Sequence, residues 1–466
     1  MSFRIDTEVA VVGAGPAGLS AALAASAAGA RVAVLDEYPE PGGQFYKQLP
    51  VEFQVPDRAA LDEDYTKGDA LLGAVRAAKV ELSNETLVWG SLEPGVLSVV
   101  RSGVAGIVRA RTIVVASGAY ERAVAFPGWD LPGVMTPGGA QTLVKNQRLA
   151  PAGRIVLAGS GPFLLPVAKS LIAAGAKPAA IYEATRPREW LRHAPRLWGH
   201  WERIGEALQY RRLISNAGVP VTFGRIVVRA EGAESLERVV SMKCDGEGRP
   251  LPGTGQVERA DTLCVGYGFV PSVQLTRLLG CDHRYEPRRG GWVPGYDEAM
   301  ETSVAGIFVA GEVAGIGGAY AALAEGTLAG LSAARRIGYR VADADLSATR
   351  QKREARRRFG DLVNDIFALK PGFYDPIGDD TLVCRCEEVT AGQIREAATE
   401  WGADVNFVKG VTRCGMGYCQ GRICGDMVEE LTARAVGCDR EAVGAFRVRS
   451  PLKPVQVSTL ADLAGQ

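Results

Sequence analysis

A chain of 466 residues with 53 basic and 53 acidic side chains carries no formal net charge. It is long enough for two or three domains with sizeable cores. Its neutrality points neither to nucleic acid nor to an anionic membrane surface, and its 57 glycines suit tightly packed βαβ units better than a β-sandwich.

Val9 to Ala30 is uncharged over 22 residues, long enough to suggest a membrane span. A Gly-rich turn breaks the stretch at 13–18. No basic segment precedes it and no cleavage pattern accompanies it, so a soluble cytoplasmic chain without a transmembrane segment is expected. That compartment is reducing, which favours metal or redox roles for paired cysteines over structural disulfides.

Residues 5–12 are predicted to form a buried strand. "GAGPAG" (13–18) then opens a helix running to about Ala28, and "RVAVLDE" (31–37) is a second strand ending in Asp36 and Glu37. Strand, glycine turn, helix and strand together make the dinucleotide fingerprint in its required context. Gly13 allows the tight turn, Gly15 lets backbone approach a pyrophosphate, and Gly18 lets the helix sit close to the sheet. Pro16 and Ala17 open the helix, whose free N–H groups face the phosphates. Asp36 stands where a carboxylate would hold ribose hydroxyls. The bland alternative is a βαβ unit with no ligand.

The pattern recurs at 154–184, with Gly159, Gly161 and a terminal Glu183, as in an internal duplication. Leu164 replaces the third glycine there. A leucine should push the helix from the sheet and narrow the phosphate approach, so a retained scaffold with a weak, altered or lost ligand is expected. "TIVVASGA" (112–119) is a strand ending in small residues, Ala116 and Gly118 among them. Residues 301–326 give a strand, a Gly-rich turn with Gly311 and Glu312, and a helix start.

From these segments, residues 5–340 resemble the two-dinucleotide-domain flavoproteins of the glutathione-reductase-like fold. "GGQ" (42–44), with Gly43 and Gln44, matches that family's loop after the second strand, and "CVGYGFVP" (264–271) its closing strand. The resemblance implies FAD, with Glu312 in place of the family's usual Asp beside the ribityl phosphate. The redox Cys pair and the His-Glu pair of disulfide reductases are missing. His193, His200 and His283 are the only histidines, and no catalytic acid or base is assigned. Cys244, Cys264 and Cys281 are isolated and expected to be buried small hydrophobes.

Residues 346–380 are expected to connect domains, with "RQKREARRRFGD" (350–361) a basic helix. Its bland reading is a solvated face; the sharper one is a docking surface for an acidic partner. "WLRHAPRLWGHW" (190–201) packs three Trp into twelve residues, either half-buried in an insertion or exposed to a partner.

Five cysteines fall within residues 384–424. Cys384-x-Cys386 and Cys419-x4-Cys424 are two close pairs, and four thiolates suit a tetrahedral zinc or a [2Fe–2S] cluster. C-x-C is an awkward bite for one ion, which favours the cluster, and Arg385, Arg413 and Arg422 would stabilise its reduced form. Between the pairs, 390–402 is predicted to be a short helix capped by Thr390.

"RCGMGYCQGRIC" (413–424) with "VCRCEEVT" (383–390) resembles the small helical [2Fe–2S] domain of bacterioferritin-associated-ferredoxin type. By that resemblance the ligands are Cys384, Cys386, Cys419 and Cys424. Cys414 is then a non-ligand near the cluster, with an exchange for Cys419 left open. The implied architecture is α/β: an FAD domain (1–120 and 285–345), a second dinucleotide-binding-like domain (121–284), a connector (346–380), the [2Fe–2S] domain (381–430) and a tail (431–466).

The whole arrangement resembles the α-type FAD/[2Fe–2S] subunit of heteromeric amino-acid and opine dehydrogenases, a family that includes opine oxidase, hydroxyproline dehydrogenase and hydrogen cyanide synthase, with sarcosine oxidase more distant. That resemblance implies an electron-transfer subunit of an enzyme acting on a C–N bond of an amino acid, imino acid or opine. It implies as partners a catalytic FAD-containing β-subunit of D-amino-acid-oxidase type, a small ferredoxin-like γ-subunit, and a downstream acceptor that could associate the protein with a membrane. An FMN at a subunit interface is a further implied cofactor; NAD(P) is not expected. The competing readings are a self-contained NAD(P)H-dependent reductase feeding a carrier, and a nucleotide-binding scaffold with a redox-sensing cluster.

Overall fold

The computed structural model describes residues 2–53, 55 and 65–464. The chain divides into two compact units. One holds residues 1–120, 270–361 and 448–466, the other 121–269 and 362–447. The division differs from the sequence expectation at the C-terminal end. Residues 362–447 are not set apart, because Val383, Cys384, Ile394, Cys424, Met427 and Val428 share one apolar core with Val156, Ala158, Val265 and Tyr267. Residues beyond 447 belong to the first unit, where Leu452 N–H donates to the Trp89 carbonyl at 2.7 Å.

The first unit is built on a five-stranded sheet in the order Ile307–Val309, Thr112–Val115, Val9–Val12, Val32–Leu35, Val80–Ser83. Every pair in it is parallel. The four residues Val9–Val12 are all buried, as expected for a strand covered by helices on both faces. The expected strand over 5–12 is two strands, Phe3–Asp6 and Val9–Val12. The first pairs with Val104–Arg109 of an antiparallel meander, not with the parallel sheet.

Helix Pro16–Ala27 packs on helix Ala319–Arg336. A Cβ on Gly326 would lie 2.0 Å from the Ala17 carbonyl oxygen, and one on Gly330 2.1 Å from that of Ala21. Only glycine lets the two helix backbones approach so closely. Helix Asp343–Ile366 contains the basic run. Its basic face is not simply solvated. Arg357 is buried and its Nη1 lies 3.2 Å from the carboxylate of Glu325, which is itself fully buried. Arg353 lies 5.5 Å from the Tyr296 ring centroid. The physical reason is Glu325: an acid enclosed among alanines and glycines requires a counter-charge.

The second unit carries another five-stranded parallel sheet, ordered Val134–Met135, Thr262–Gly266, Ile155–Gly159, Pro178–Glu183, Val221–Phe223. A three-stranded antiparallel sheet (Arg225–Glu231, Arg238–Lys243, Gln256–Arg259) follows it. The 362–447 part is mainly helical: Ala391–Trp401, Val405–Thr412 and Gly425–Val436. Thr390 caps the first of these in a capping box with Gln393. In the Trp-rich stretch, Trp190 packs edge-on to Phe367 at 5.3 Å. Trp198 and Trp201 are instead 78% and 58% exposed, and their rings contact each other at 4.9 Å. Cys244, Cys264 and Cys281 are buried, as expected of small hydrophobes.

Candidate functional site

In the first unit, Gly13 has φ +106°, and a Cβ there would lie 2.4 Å from the Ala116 carbonyl oxygen. A Cβ on Gly18 would lie 1.8 Å from the Gly13 carbonyl oxygen. The GGQ loop is tied to the same turn: Gly42 N–H donates to the Ala14 carbonyl at 2.8 Å, and a Cβ on Gly43 would lie 2.7 Å from the Gly15 Cα. Gln44 Oε1 accepts from Lys47 Nζ at 2.9 Å. Gly311 closes the other side, its Cβ position 2.8 Å from that of Ala17.

The helix these residues surround begins at Pro16 with no side-chain cap. Its first-turn N–H groups are therefore unspent inside a cradle of backbone, which suits a pyrophosphate. Asp36 is buried, accepting from Ala14 N–H at 2.5 Å and Tyr38 N–H at 2.8 Å. Burial pushes its carboxyl up, against those two hydrogen bonds. Glu37 is exposed and pairs with Lys453. Gly118 has φ +71° and open space where a Cβ would stand.

Glu312 departs from what an Asp could do. Its Oε1 reaches Gly318 N–H at 2.7 Å and Gly317 N–H at 3.5 Å. It thus covers the backbone donors leading into helix Ala319–Arg336. Burial pushes this carboxyl up, opposed by the Arg357 charge and by those N–H groups.

The second glycine turn is built differently. Its helix starts at Leu164, five residues after Gly159, whereas the first helix starts three residues after Gly13. Leu164 is buried against Ala140, Val144, Ile155 and Leu157. Leu164 N–H and Leu165 N–H turn back to the carbonyls of Gly161 and Pro162 at 3.4 and 3.2 Å. Gly161 N–H donates to Glu183 at 3.2 Å, and Thr185 N–H to the same carboxyl at 2.8 Å. Glu183 thus takes up a turn N–H and the N–H two residues beyond itself, as Asp36 does in the first turn, while the Leu164 and Leu165 N–H groups are turned back onto the loop. Tyr267, beside the carboxyl end of its strand, is buried under Phe373, ring centroids 4.9 Å apart. In such sheets that end is where a ligand would enter.

Burial pushes the Glu183 carboxyl up to about 8, against the Thr185 and Gly161 hydrogen bonds. A carboxyl raised on folding holds an extra proton in the folded state, so it costs no stability below its unfolded value of about 4.3 and costs progressively more as pH rises towards the folded value. Between pH 6 and pH 8 the wild-type protein is expected to lose about 2 kcal/mol more than Glu183→Gln. Urea unfolding at the two pH values checks this; equal losses would refute it.

In the 362–447 segment the sulfurs lie at two depths. Cys384, Cys414 and Cys424 are buried, and their Sγ atoms all lie within 4.8 Å of one another. Cys386 is exposed and Cys419 half-buried. The Cys384 thiol is pushed down by hydrogen bonds from Cys414 and Cys424. That of Cys419 is pushed down first by Cys424. The loops approach through glycine: a Cβ on Gly417 would lie 2.3 Å from the Cys386 Cβ. Phe446 covers them, 2.5 Å from a Cβ on Gly415 and 2.7 Å from one on Gly421. The donor set is all sulfur, which suits an iron–sulfur cluster or zinc.

Cys414, expected near the ligands with an exchange for Cys419 left open, lies within 4.8 Å of Cys384 and Cys424. The arginines are also more engaged than expected. Arg413 pairs with Glu387 at 2.9 Å, Arg385 lies 5.5 Å from the Trp129 ring centroid, and Arg422 donates to the Cys419 carbonyl at 3.2 Å.

One group escaped the sequence reading. Asp426, in the first turn after Cys424, is buried between Arg122 and Arg440 and accepts from Tyr374 Oη at 2.8 Å. Burial pushes its carboxyl up, but the two guanidiniums outweigh that and hold it well below the usual carboxylate range. His283 is bonded to Thr276 and the Cys281 carbonyl, and burial pushes it down to about 4, so it serves the fold.

Residues 7–326 match the pyridine nucleotide-disulphide oxidoreductase family, and residues 379–465 the sarcosine oxidase A3 domain. The chain is 36% identical to the A subunit of opine oxidase from Agrobacterium tumefaciens, covering 98% of this chain and 92% of that one. It is 33% identical to hydrogen cyanide synthase subunit HcnB of Pseudomonas aeruginosa, covering 97% and 98%. Among solved structures, L-proline dehydrogenase from P. horikoshii superposes with a TM-score of 0.72 at 21% identity, over 99% of this chain and 80% of that one, a likeness of fold. The fingerprint cradle and these near full-length likenesses place the chain in the flavin-dependent pyridine nucleotide-disulphide oxidoreductase family, alongside HcnB and the opine oxidase homologue.

Proposed function

We propose that this chain is the electron-transfer subunit of a multi-subunit flavin oxidoreductase acting on a C–N bond of an amino acid, imino acid or opine. The observation that carries the reading is the nest of five thiols on a chain whose flavin-type cradle has no redox Cys pair beside it. When bound, a flavin would accept electrons in pairs and a [2Fe–2S] cluster would pass them singly.

This chain's residues supply position and charge. Gly13, Gly15, Pro16, Ala17 and Gly18 would receive the FAD pyrophosphate and Asp36 its ribose. Gly43, Gln44, Ala116, Gly118, Gly311 and Glu312 would line the rest, with Glu37 at the rim. Cys384, Cys386, Cys419 and Cys424 would hold the cluster. The loop that bears Cys419 also exposes Met416, Tyr418 and Ile423. Apolar side chains beside a thiol near the surface suit docking of a redox partner.

Substrate oxidation then belongs to a partner subunit, for which a β-subunit of D-amino-acid-oxidase type is the proposal. A ferredoxin-like γ-subunit and an interfacial FMN belong to the same proposal. Among the described residues no helix is long and apolar enough to cross a membrane.

The test is a visible spectrum of anaerobically purified protein, with iron, sulfide and flavin assayed on the same sample. About two irons and two sulfides per chain, with released flavin, are expected. Zinc without iron would overturn the relay, and bleaching of the flavin by NADH alone would overturn the assignment of substrate oxidation to a partner. Gly18→Ala sets a methyl against the Gly13 carbonyl, an overpacking cost of about 1–3 kcal/mol. Desalting should therefore strip flavin from the variant under conditions where the wild type keeps it.

A further inference from the structure

Cys414 has no role in a four-thiolate set, yet it is fully buried among the sulfurs, with an exposure of 0%. Its Sγ lies 3.8 Å from the Cys424 Sγ. Two thiolates bound to one tetrahedral metal at about 2.3 Å each stand about 3.8 Å apart. The pair is therefore already spaced as two ligands of one ion, and Cys384 completes a triad within 4.8 Å.

The backbone holds Cys414 there. Arg413 ends helix Val405–Thr412 in the left-handed region at φ +66°. Cys414 N–H donates to Thr412 Oγ1 at 3.2 Å, and the Phe446 ring spans the Gly415 and Gly421 turns that flank the sulfurs. The more exposed pair, Cys386 and Cys419, lies outside the metal-spaced group of sulfurs found among the described residues, with Cys424 hydrogen-bonded to Cys419.

We propose that Cys414 is a spare ligand for the buried iron, able to take the position of Cys424 when that thiolate is lost. The inference rests on the [2Fe–2S] reading. The exchange is a ligand substitution: Cys414 gives its thiol proton to water, its thiolate fills the vacant position, and no oxidation state changes. A cysteine that served only as a small hydrophobe would offer no such replacement.

Full-length wild type, C414A, C424A, C419A and the C414A/C424A double variant are compared, each purified anaerobically. Iron and acid-labile sulfide are assayed per chain, and the dithionite-reduced proteins are examined by EPR. C414A should keep the wild-type content and signal. C424A should keep at least about half of the iron and sulfide, with shifted g-values, while C419A and the double variant fall to about a tenth or less. C424A protein as iron-poor as the double variant overturns the proposal, whether or not the segment stays folded. Loss of the cluster in C414A alone also overturns it, since Cys414 would then be an obligatory ligand. Wild-type protein without iron and sulfide would instead sink the functional reading, and this inference with it.

Discussion

Asp426→Asn is expected to destabilise the second unit by about 3–5 kcal/mol, the cost of removing one partner from a buried ion pair. Asp426 has a side-chain exposure of 9% and faces Arg122 at 5% and Arg440 at 9%. The substitution keeps the shape and deletes the charge. Arg440 retains Glu429 at 3.2 Å, while Arg122 loses the carboxylate that its Nη1 meets and its Nη2 stays 3.4 Å from the Phe269 carbonyl. Tyr374 loses an anionic acceptor as well.

Those partners come from sequence-distant places: Arg122 opens the second unit, Tyr374 lies in the 362–380 segment, and Arg440 follows the last long helix. The loss should therefore appear as one cooperative transition moved to lower urea. Helix Gly425–Val436, which begins directly after Cys424, should lose amide protection with it. A midpoint unchanged within experimental error would show that the two arginines find other partners, and that the hub does not hold the segment in place.

The parts of this protein that were legible in its sequence are those whose physics is local. A strand, a glycine turn and a helix are consecutive residues, so Gly13, Gly15, Gly18 and Asp36 could be assigned from spacing and are found around one turn. The Thr390 cap was legible for the same reason. Leu164 was recognisable as a misfit, but how the second turn differs was not. Glu183 takes Gly161 N–H across 22 residues just as Asp36 takes Ala14 N–H, but the later helix start, where Leu164 N–H turns back to the Gly161 carbonyl, left no mark in the residue pattern.

How deep Cys414 lies was not legible, because spacing along a chain does not give depth. It is five positions from Cys419, yet its Sγ lies 3.8 Å from that of Cys424. The Trp-rich stretch divided for a similar reason. Trp190 meets Phe367 from a distant segment, while Trp198 and Trp201 pack edge-on against each other and stay exposed. Asp426 and Arg122 are 304 positions apart, beyond any periodicity argument. Arg357 was hidden by composition: one inward arginine among many outward ones carries no local mark.

That arginine leads to the second large effect. Glu325→Gln is expected to cost about 3–5 kcal/mol in the first unit and to loosen its grip on flavin. Glu325 is fully enclosed, with Arg357 at 3.2 Å and Arg353 at 3.8 Å. Its other oxygen accepts Gly311 N–H at 3.0 Å, and Arg357 donates onward to the Gly315 carbonyl at 2.8 Å. One ion pair therefore fixes both ends of the 311–315 turn, the turn that carries Glu312. Helix Asp343–Ile366 can sit this close because a Cβ on Gly360 would lie only 2.4 Å from the Gly317 carbonyl oxygen.

Neutralising Glu325 leaves Arg357 with the part-exposed Asp361 at 3.7 Å and the carbonyls of Ala314 and Gly315, and the turn should open as the charge shifts towards Asp361 and water. Glu312 would then lose its register with Gly317 and Gly318. Flavin retention should fall further than stability alone predicts, because the turn moves before the unit unfolds. Flavin fluorescence after desalting, measured with urea unfolding of the same sample, separates the two effects. A variant that is destabilised yet keeps a full complement of flavin would assign the pair to fold stability and free the 311–315 turn from any part in holding the cofactor.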